Sequence, residues 1–217
     1  MSEYFSMFAE YLPRLLDGLR LTVVIAVFGL LFAVLLGIIL CIFSISGVRL
    51  LQKLANFYIT LVRGIPLMIL ALFLYFGVIK NSLGLTISAV LILGINASAY
   101  MAEIFRAGIQ AIDYGQMEAA RSLGMSYFQT MGRVILPQAV KIMIPSLMNQ
   151  FISSLKDTAI LSAISVNELT MSARTIIARN YKAFEVYSYA AVIYIIVITA
   201  LTFLSKKVEQ RLSYDKR

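Results

Sequence analysis

The sequence predicts an all-α integral membrane protein, a bundle of five transmembrane helices with one cytoplasmic loop. Of the 217 residues, 60% are hydrophobic and only 14% are charged, whereas soluble domains average about 45–50% apolar and about 25% charged residues. Mean hydropathy is +0.86, and a soluble domain of this length could not bury so much apolar surface. Lipid must therefore replace water around much of the chain.

A single membrane domain over residues 1–217 is predicted, because no long polar block stands apart from the apolar segments. The first segment has no charged residue from Leu21 to Val48, which exceeds the about 20 residues that a bilayer requires. The second is interrupted at Arg63–Pro66, where glycine and proline can break the helix. The fourth continues through Lys156 and Asp157, whose charges we expect to lie among helices. The predicted spans are 19–46, 54–79, 81–105, 138–164 and 185–206.

The formal net charge of +8 would suit a nucleic-acid partner, since basic surfaces attract phosphate. The basic residues form no stripe interleaved with aromatic residues, however. They fall between the apolar segments, where lysine and arginine set membrane orientation. We therefore predict membrane lipid, and no nucleic acid, among the partners. Five spans place the termini on opposite sides, and the side with the C-terminal tail carries more Lys and Arg. The N-terminus is thus predicted outside and the C-terminus in the cytoplasm.

The residue inventory excludes several kinds of active site. The chain has no histidine and a single cysteine, Cys41, so it can form neither a zinc site of His and Cys nor a Ser–His or Cys–His catalytic pair. It also lacks the G-x-x-x-x-G-K-[ST] loop that cradles nucleotide phosphates. We predict that the protein is not an enzyme and uses no metal and no cofactor. Its acidic N-terminus, with Glu3, Glu10 and Asp17, is unlike a cleaved signal peptide, so the first span is predicted to be retained.

An amphipathic loop, residues 106–137, lies between the third and fourth predicted spans. Asp113 and Gln116 have the spacing of a capping box, in which one side chain accepts a bond from a free backbone N–H and the other reaches back. A short helix over Met117–Leu123 follows, and Gly124 suits the left-handed position at its C-terminal end.

A second capping box, Ser126 with Gln129, could open another helix that ends near Pro137. The loop is therefore predicted to be two short helices joined by a glycine elbow. The alternative is an amphipathic interfacial helix without a partner, but such helices usually keep Lys and Arg along one face. The stretch from Glu118 to Gly124 offers only Arg121.

The loop also carries a motif with fixed spacing. Glu118-Ala119-Ala120 is followed by three residues, Gly124, nine residues and Val134-Ile135-Leu136-Pro137. This resembles the EAA motif of bacterial ABC-importer permeases, EAA-x3-G-x9-I-x-L-P, with Val134 in the isoleucine position. The flanking runs are similar to the polar amino-acid branch of that family, and the resemblance covers nearly the whole chain. These runs are Arg63–Leu67, Asn96–Gln110, Gly115–Gln116 and Leu155–Thr158.

The resemblance implies a permease subunit of the bacterial cell (inner) membrane that moves a polar amino acid. It implies five spans per chain, a second permease copy or homologue around a central pathway, and an extracytoplasmic solute-binding protein that delivers the substrate. Two copies of a separate ATP-binding subunit would hydrolyse ATP, and the loop would supply the coupling helix that sits in a groove of that subunit. The coupling residues would be Glu118, Ala119, Ala120, Arg121, Gly124 and Pro137. The run Val166–Leu169 is similar to cystine-transporting members.

Polar side chains within the spans indicate a binding pocket, because charged groups at mid-membrane usually serve function or pair with one another. On the third span, Asn96, Tyr100 and Glu103 share one helical face, and on the fourth so do Ser146, Gln150, Ser153 and Asp157. The helix break in the second span can expose backbone groups, as substrate sites in transporters often do. Asp157 would meet the substrate ammonium group. The predicted substrate-binding residues are Leu67, Asn96, Tyr100, Gln150 and Asp157.

Other interpretations of these residues stay open at this point. Lys156 and Asp157 could satisfy charges at helix ends, and Asn96 could bond a neighbouring helix. Glu103 and Arg106 have the i, i+3 spacing of an ion pair. An ion-coupled carrier or channel is the alternative function, but it would favour internal repeats with paired broken helices, and the sequence has one such break. An intramembrane enzyme would need a nucleophile–base pair, and the sequence offers no convincing one.

Overall fold

The computed structural model describes residues 2–79 and 82–214, and every regular element in these ranges is helical. The predicted start of the third span at Asn81 lies outside the described residues. So do Lys80, Lys216 and Arg217, three of the basic residues from which the orientation in the membrane was predicted. The α-helices are α1 (Ser2–Ile45), α2 (Arg49–Gly64), α3 (Leu67–Leu72), α4 (Leu85–Gln110), α5 (Tyr114–Ser122), α6 (Tyr127–Thr130), α7 (Leu136–Asp157), α8 (Leu169–Asn180) and α9 (Ala183–Tyr214). π-Helical turns continue α3 over Phe73–Ile79 and join α6 to α7 over Met131–Ile135, and a 3₁₀-helix, Thr158–Ile164, follows α7.

Helix α1 begins 17 residues before the predicted span, because its N-terminal part packs on α8 rather than ending at the bilayer edge. Leu15, Gly18 and Thr22 are buried there, and a Cβ on Gly18 would lie 2.9 Å from the Leu169 Cα. The Thr22 hydroxyl accepts the Leu169 N–H at 3.1 Å. The helix is about 66 Å long at 1.5 Å per residue, so it extends well beyond the hydrocarbon core.

The centre of the fold is the pair α1 and α4, which meet through small residues. A Cβ on Gly94 of α4 would lie 2.9 Å from the Gly29 carbonyl oxygen of α1. A Cβ on Gly37 of α1 would lie 2.6 Å from the Met101 Cβ of α4. Ala97 is fully buried in the same contact. Glycine therefore lets the two backbones approach closely, as in other membrane helix pairs.

The break between α2 and α3 confirms the interruption predicted at Arg63–Pro66. The two helices are bent by 107°, with Ile65 extended at φ −102° and ψ 128°. A residue before proline avoids the helical region for steric reasons, and Pro66 then opens α3. The polypeptide thus turns sharply beside α4.

The loop between α4 and α7 forms the predicted elbow in most respects. Gly124 has φ +83°, and the Ser126–Gln129 capping box is present, with bonds of 2.8 and 3.3 Å. The capping box predicted at Asp113 is only half formed, so the second half of that prediction is wrong. Asp113 caps the Gly115 N–H at 2.8 Å, but the described residues include no return bond from the Gln116 side chain.

The second helix of the loop does not end near Pro137, and this prediction is wrong. Helix α6 runs through the π-helical turn Met131–Ile135 directly into α7, where Pro137 lies in the first turn. Proline, which has no backbone N–H, is tolerated at that place because the π-helical turn just before it interrupts the regular α-helical bonding. The elbow is therefore joined to α7 by continuous helix rather than by a loop.

Within the described residues, three helices are long and apolar enough to cross a membrane: Ser6–Ile45, Leu85–Gln110 and Ala183–Arg211. The bent pair α2 and α3 becomes a fourth if both parts are counted as one span. Helix α7, which covers most of the predicted fourth span, is not among them. Its polar face, rather than its length, distinguishes it from the other four.

Helices α8 and α9 close the bundle around a buried carboxylate. Glu168 is fully buried and caps α8 by accepting the backbone N–H of Met171 at 2.7 Å and of Thr170 at 2.9 Å. The hydroxyl of Tyr194 on α9 donates to it at 3.2 Å. Burial raises the pKa of the Glu168 carboxyl, and these hydrogen bonds oppose that shift. Glu168 is thus a structural group of this region.

Candidate functional site

A polar cavity of about 480 Å³ lies where the α2–α3 break faces α4 and α7. All five predicted substrate-binding residues line it, although they come from three separate segments of the chain. The lining residues are Arg63, Gly64, Ile65, Pro66, Leu67, Asn96, Tyr100, Gln150, Ser153 and Asp157. The structure therefore brings the predicted residues together with Ser153, on the same face of the predicted fourth span, and with Arg63–Pro66 at the predicted break.

Each wall of the cavity follows from local helix geometry. Asn96 and Tyr100 are four residues apart on α4, and Gln150, Ser153 and Asp157 recur on one face of α7. The third wall is backbone, because the break leaves Ile65 and Pro66 outside regular helix and makes Leu67 the first residue of α3. A backbone N–H or C=O that is not used within a helix is free to bind a polar solute.

Burial differs among the lining side chains. Asn96 is 5% exposed, whereas Tyr100, Gln150 and Asp157 are half-buried and accessible from the cavity. The Gln150 amide donates to the Ser154 hydroxyl at 3.3 Å. Lys156 is exposed and does not line the cavity. Asp157 lines the cavity and is half-buried, so its carboxylate is accessible to a solute there.

A cluster of ions adjoins the cavity. Glu103 of α4 lies 2.7 Å from Arg106, which confirms the predicted i, i+3 pair. It also lies 3.3 Å from Arg63 of α2, and the Arg63 guanidinium stands over the Tyr100 ring at 5.4 Å. The Arg63–Glu103 contact was not predicted, because it joins residues 40 positions apart. The sequence did place one basic residue and one acidic residue within neighbouring spans, a pattern that could have indicated an ion pair.

The elbow exposes most of the predicted coupling residues. Glu118, Ala119, Arg121 and Gly124 are exposed, as is Pro137 at the start of α7. Ala120 is 5% exposed, so its small side chain packs inward. The Arg121 guanidinium donates to the Met125 carbonyl oxygen at 2.7 Å, which fixes the turn on both sides of the glycine.

Two large apolar side chains at the elbow were missed. Leu123 is 84% exposed and Phe128 is 85% exposed. The segment around them is rich in polar residues and has balanced charge, with Glu118 against Arg121. Apolar side chains in such a polar segment face water unless another protein covers them. They could have been found in the sequence as the apolar residues on either side of Gly124.

Comparison with known proteins now identifies the family. Residues 29–214 match the family described as "Binding-protein-dependent transport system inner membrane component". The chain belongs to this family. It is an integral membrane permease component, as the apolar helices and the resemblance in the elbow had indicated, and the family implies ATPase and substrate-binding partners.

The curated relatives of the permease are transport proteins for amino acids. It is 37% identical over 212 residues to the "Arginine transport system permease protein ArtQ" of Bacillus subtilis, covering 96% of each chain. It is 36% identical over 205 residues to the "Glutamine transport system permease protein GlnP" of Escherichia coli, covering 93% of this chain and 94% of that one. The permease is therefore a subunit of an amino-acid ABC importer.

Solved structures agree with this assignment. A chain in the "Crystal structure of an amino acid ABC transporter with histidines" superposes with a TM-score of 0.90 at 38% identity, and the match covers 96% of the permease and 98% of that chain. The MetNI methionine ABC transporter in an inward-facing conformation gives a TM-score of 0.72 at 20% identity, over 95% and 98% of the chains. The second likeness shows the fold alone.

Proposed function

We propose that the permease binds a polar amino acid in the cavity between α3, α4 and α7. The observation that supports this most is the convergence of Leu67, Asn96, Tyr100, Gln150 and Asp157 on one cavity. In this proposal the Asp157 carboxylate receives the substrate ammonium group. Asn96 and the backbone near Leu67 supply orienting hydrogen bonds, as neutral polar groups often do in ligand pockets.

The proposal names the substrate as a polar amino acid and goes no further. Arginine and glutamine are the substrates named for the two relatives above. The run Val166–Leu169 resembled cystine-transporting members, but Glu168 is enclosed as the cap of α8. That run therefore adds no support for cystine from the cavity side.

The second part of the proposal concerns energy coupling. The elbow α5–Gly124–α6 is proposed to be the EAA coupling element that docks into an ATP-binding subunit, which hydrolyses ATP. Glu118, Ala119, Arg121, Gly124 and Pro137 would face or shape that contact. Because helix is continuous from α6 into α7, movement of the elbow would be carried to the cavity wall as rigid-body motion.

The third part of the proposal is the arrangement in the membrane. Five spans, formed by α1, α2 with α3, α4, α7 and α9, would place the N-terminus outside and the elbow and C-terminus in the cytoplasm. Two permeases, identical or homologous, would pair around the pathway with two ATP-binding subunits and an extracytoplasmic solute-binding protein. The polar face of α7 supports this, since a helix with such a face can cross a membrane only beside a pathway or another helix.

Substitution Asp157→Asn tests the cavity. It keeps the size of the side chain and removes the charge, so we expect the KM for transported amino acid to rise at least about tenfold in proteoliposomes that hold the whole importer. Lys156→Gln is the matched control, because Lys156 is the adjacent charged residue but is exposed outside the cavity. An unchanged KM and rate for Asp157→Asn would refute the binding role.

Substitutions Gly124→Asp and Glu118→Lys test the elbow. Both should abolish ATP-coupled uptake while the permease still reaches the membrane, because they alter the turn and the charge of the docking surface. Gly47→Asp is the control: Gly47 is exposed in the turn before α2, and a Cβ added to it would meet no atom within 4 Å. Normal uptake by both elbow variants would remove the coupling assignment.

A further inference from the structure

Arg63 stands at the junction of three cavities. It lines the proposed substrate cavity, a second cavity of about 480 Å³ with Glu103 and Arg106, and a third of about 520 Å³ that follows α4 to Ala111. Tyr100 lines all three as well. Arg63 therefore borders both the substrate cavity and the cavity that runs along α4 toward Ala111.

The guanidinium of Arg63 keeps donor capacity for a ligand. Its ion pair with Glu103 is 3.3 Å long, whereas Glu103 is held more closely by Arg106, at 2.7 and 2.8 Å from its two oxygens. An arginine offers five N–H donors in a planar fork, and the Arg63 side chain is 44% exposed. Glu103 would retain a partner in Arg106 if a second carboxylate took its place on Arg63.

The substrate cavity contains one charged residue of each sign. Among its lining residues only Arg63 is basic and only Asp157 is acidic. They belong to different walls, α2 and α7, so the two charges face a common space. This pattern complements a zwitterion, whose ammonium group and carboxylate are both charged.

We propose that Arg63 binds the α-carboxylate of the substrate and exchanges Glu103 for it. The inference rests on the proposed function of the cavity and adds the second anchor of the substrate. Arginine can hold a carboxylate by two parallel N–H bonds, which a neutral or decarboxylated compound cannot accept. Binding in the cavity therefore requires a free α-carboxylate on the substrate. Amines that share the same side chain but lack this group would bind more weakly.

The test removes the Arg63 side chain and the substrate carboxylate, singly and together, and compares the resulting losses of binding. The probes are L-glutamine with 4-aminobutanamide and L-arginine with agmatine, since each second compound lacks only the carboxylate. Binding is measured on the permease purified with its ATP-binding subunit, without the solute-binding protein, so that the selectivity of that protein does not contribute.

For the amino acid that binds, Arg63→Gln should weaken binding at least about tenfold, while binding of its amine changes less than about twofold. Glu103→Gln should not weaken amino-acid binding, because it frees Arg63 from its competitor. Co-purification with the ATP-binding subunit verifies that each variant is folded. The inference is overturned if Arg63→Gln weakens binding of the amino acid and of its amine by the same factor, or weakens binding of neither. It is also overturned if the wild-type protein binds neither amino acid more tightly than the corresponding amine.

The outcomes separate this inference from the proposed function. If Asp157→Asn weakens binding of both compounds but Arg63→Gln does not discriminate between them, the cavity remains the site and Arg63 serves only its ion pair with Glu103. If neither variant changes the binding of any probe, the cavity is not the site and both proposals fail.

Discussion

The two sides of α4 are built for different purposes. One side faces α1 through Gly94 and Ala97, with fully buried neighbours and backbones in close approach. The other carries Asn96, Tyr100 and Glu103, and it lines cavities that together extend from the helix break to Ala111, just after the end of α4. One helix is thus both closely packed against α1 and a wall of the proposed pathway.

The difference shows how a small membrane protein can hold a polar cavity. Polar groups inside a bilayer need fixed partners or a hydrated space, and an open cavity gives little packing energy of its own. The α1–α4 contact supplies that energy on the opposite side of the same helix. The polar side of α4 can then remain open for a substrate without loss of the fold.

The largest effect is therefore expected on the packed side, for Gly94→Leu. Its Cβ would lie 2.9 Å from the Gly29 carbonyl oxygen, which is backbone, and 2.5 Å from the Phe32 ring. Overpacking of this kind costs about 1–3 kcal/mol or more. We expect folded protein to be lost or its thermal midpoint in detergent to fall by several degrees.

Gly47→Leu is the matched control for this prediction. A Cβ on Gly47 meets no atom within 4 Å, so the same enlargement should leave the thermal midpoint unchanged. Equal behaviour of the two variants would mean that the α1–α4 contact is not the stabilising core, and the contrast between the sides of α4 would then be lost.

A smaller effect is expected where α2 is attached to α4, for Tyr58→Phe. The Tyr58 hydroxyl bonds the Ser98 hydroxyl at 2.9 Å and the Ile95 carbonyl oxygen at 3.1 Å. Its loss should cost about 1 kcal/mol in the free energy of unfolding, while Ser98 keeps its own bond to Ile95 at 2.7 Å. Tyr187→Phe, at an exposed position on α9, should cost nothing. Urea or thermal unfolding of both variants measures the difference, and equal stability would show that α2 is held by apolar contacts alone.

Much of the candidate site could be predicted because its signals are local. The break at Arg63–Pro66 and the turn at Gly124 follow from backbone restrictions of proline and glycine. The shared faces of α4 and α7 follow from the helical period. The break lies beside α4, so the polar faces of α4 and α7 meet it at one cavity.

The parts that were missed depend on contacts between distant residues. The early start of α1 follows from packing on α8, where Gly18 meets Leu169. The ion pair of Arg63 with Glu103 depends on the relative placement of two helices. Continuous helix through Pro137 depends on the π-helical turn before it. None of these has a period or a local motif that a single sequence displays.

The last expected effect concerns the pH dependence of stability at Glu168, the buried carboxylate of the scaffold. Glu168 is fully buried, and burial raises the pKa of its carboxyl above the ordinary 4.5. The folded permease therefore holds that proton more tightly than the unfolded chain does. Its contribution to stability is greatest below pH 4.5 and declines as the pH rises through the raised value. Glu168→Gln should weaken the cap of α8 by about 0.5–1.5 kcal/mol and remove this part of the pH dependence. Thermal unfolding of wild type and Glu168→Gln from acidic to slightly alkaline pH measures the difference. Parallel pH curves for wild type and Glu168→Gln would show that the buried carboxylate keeps its ordinary pKa.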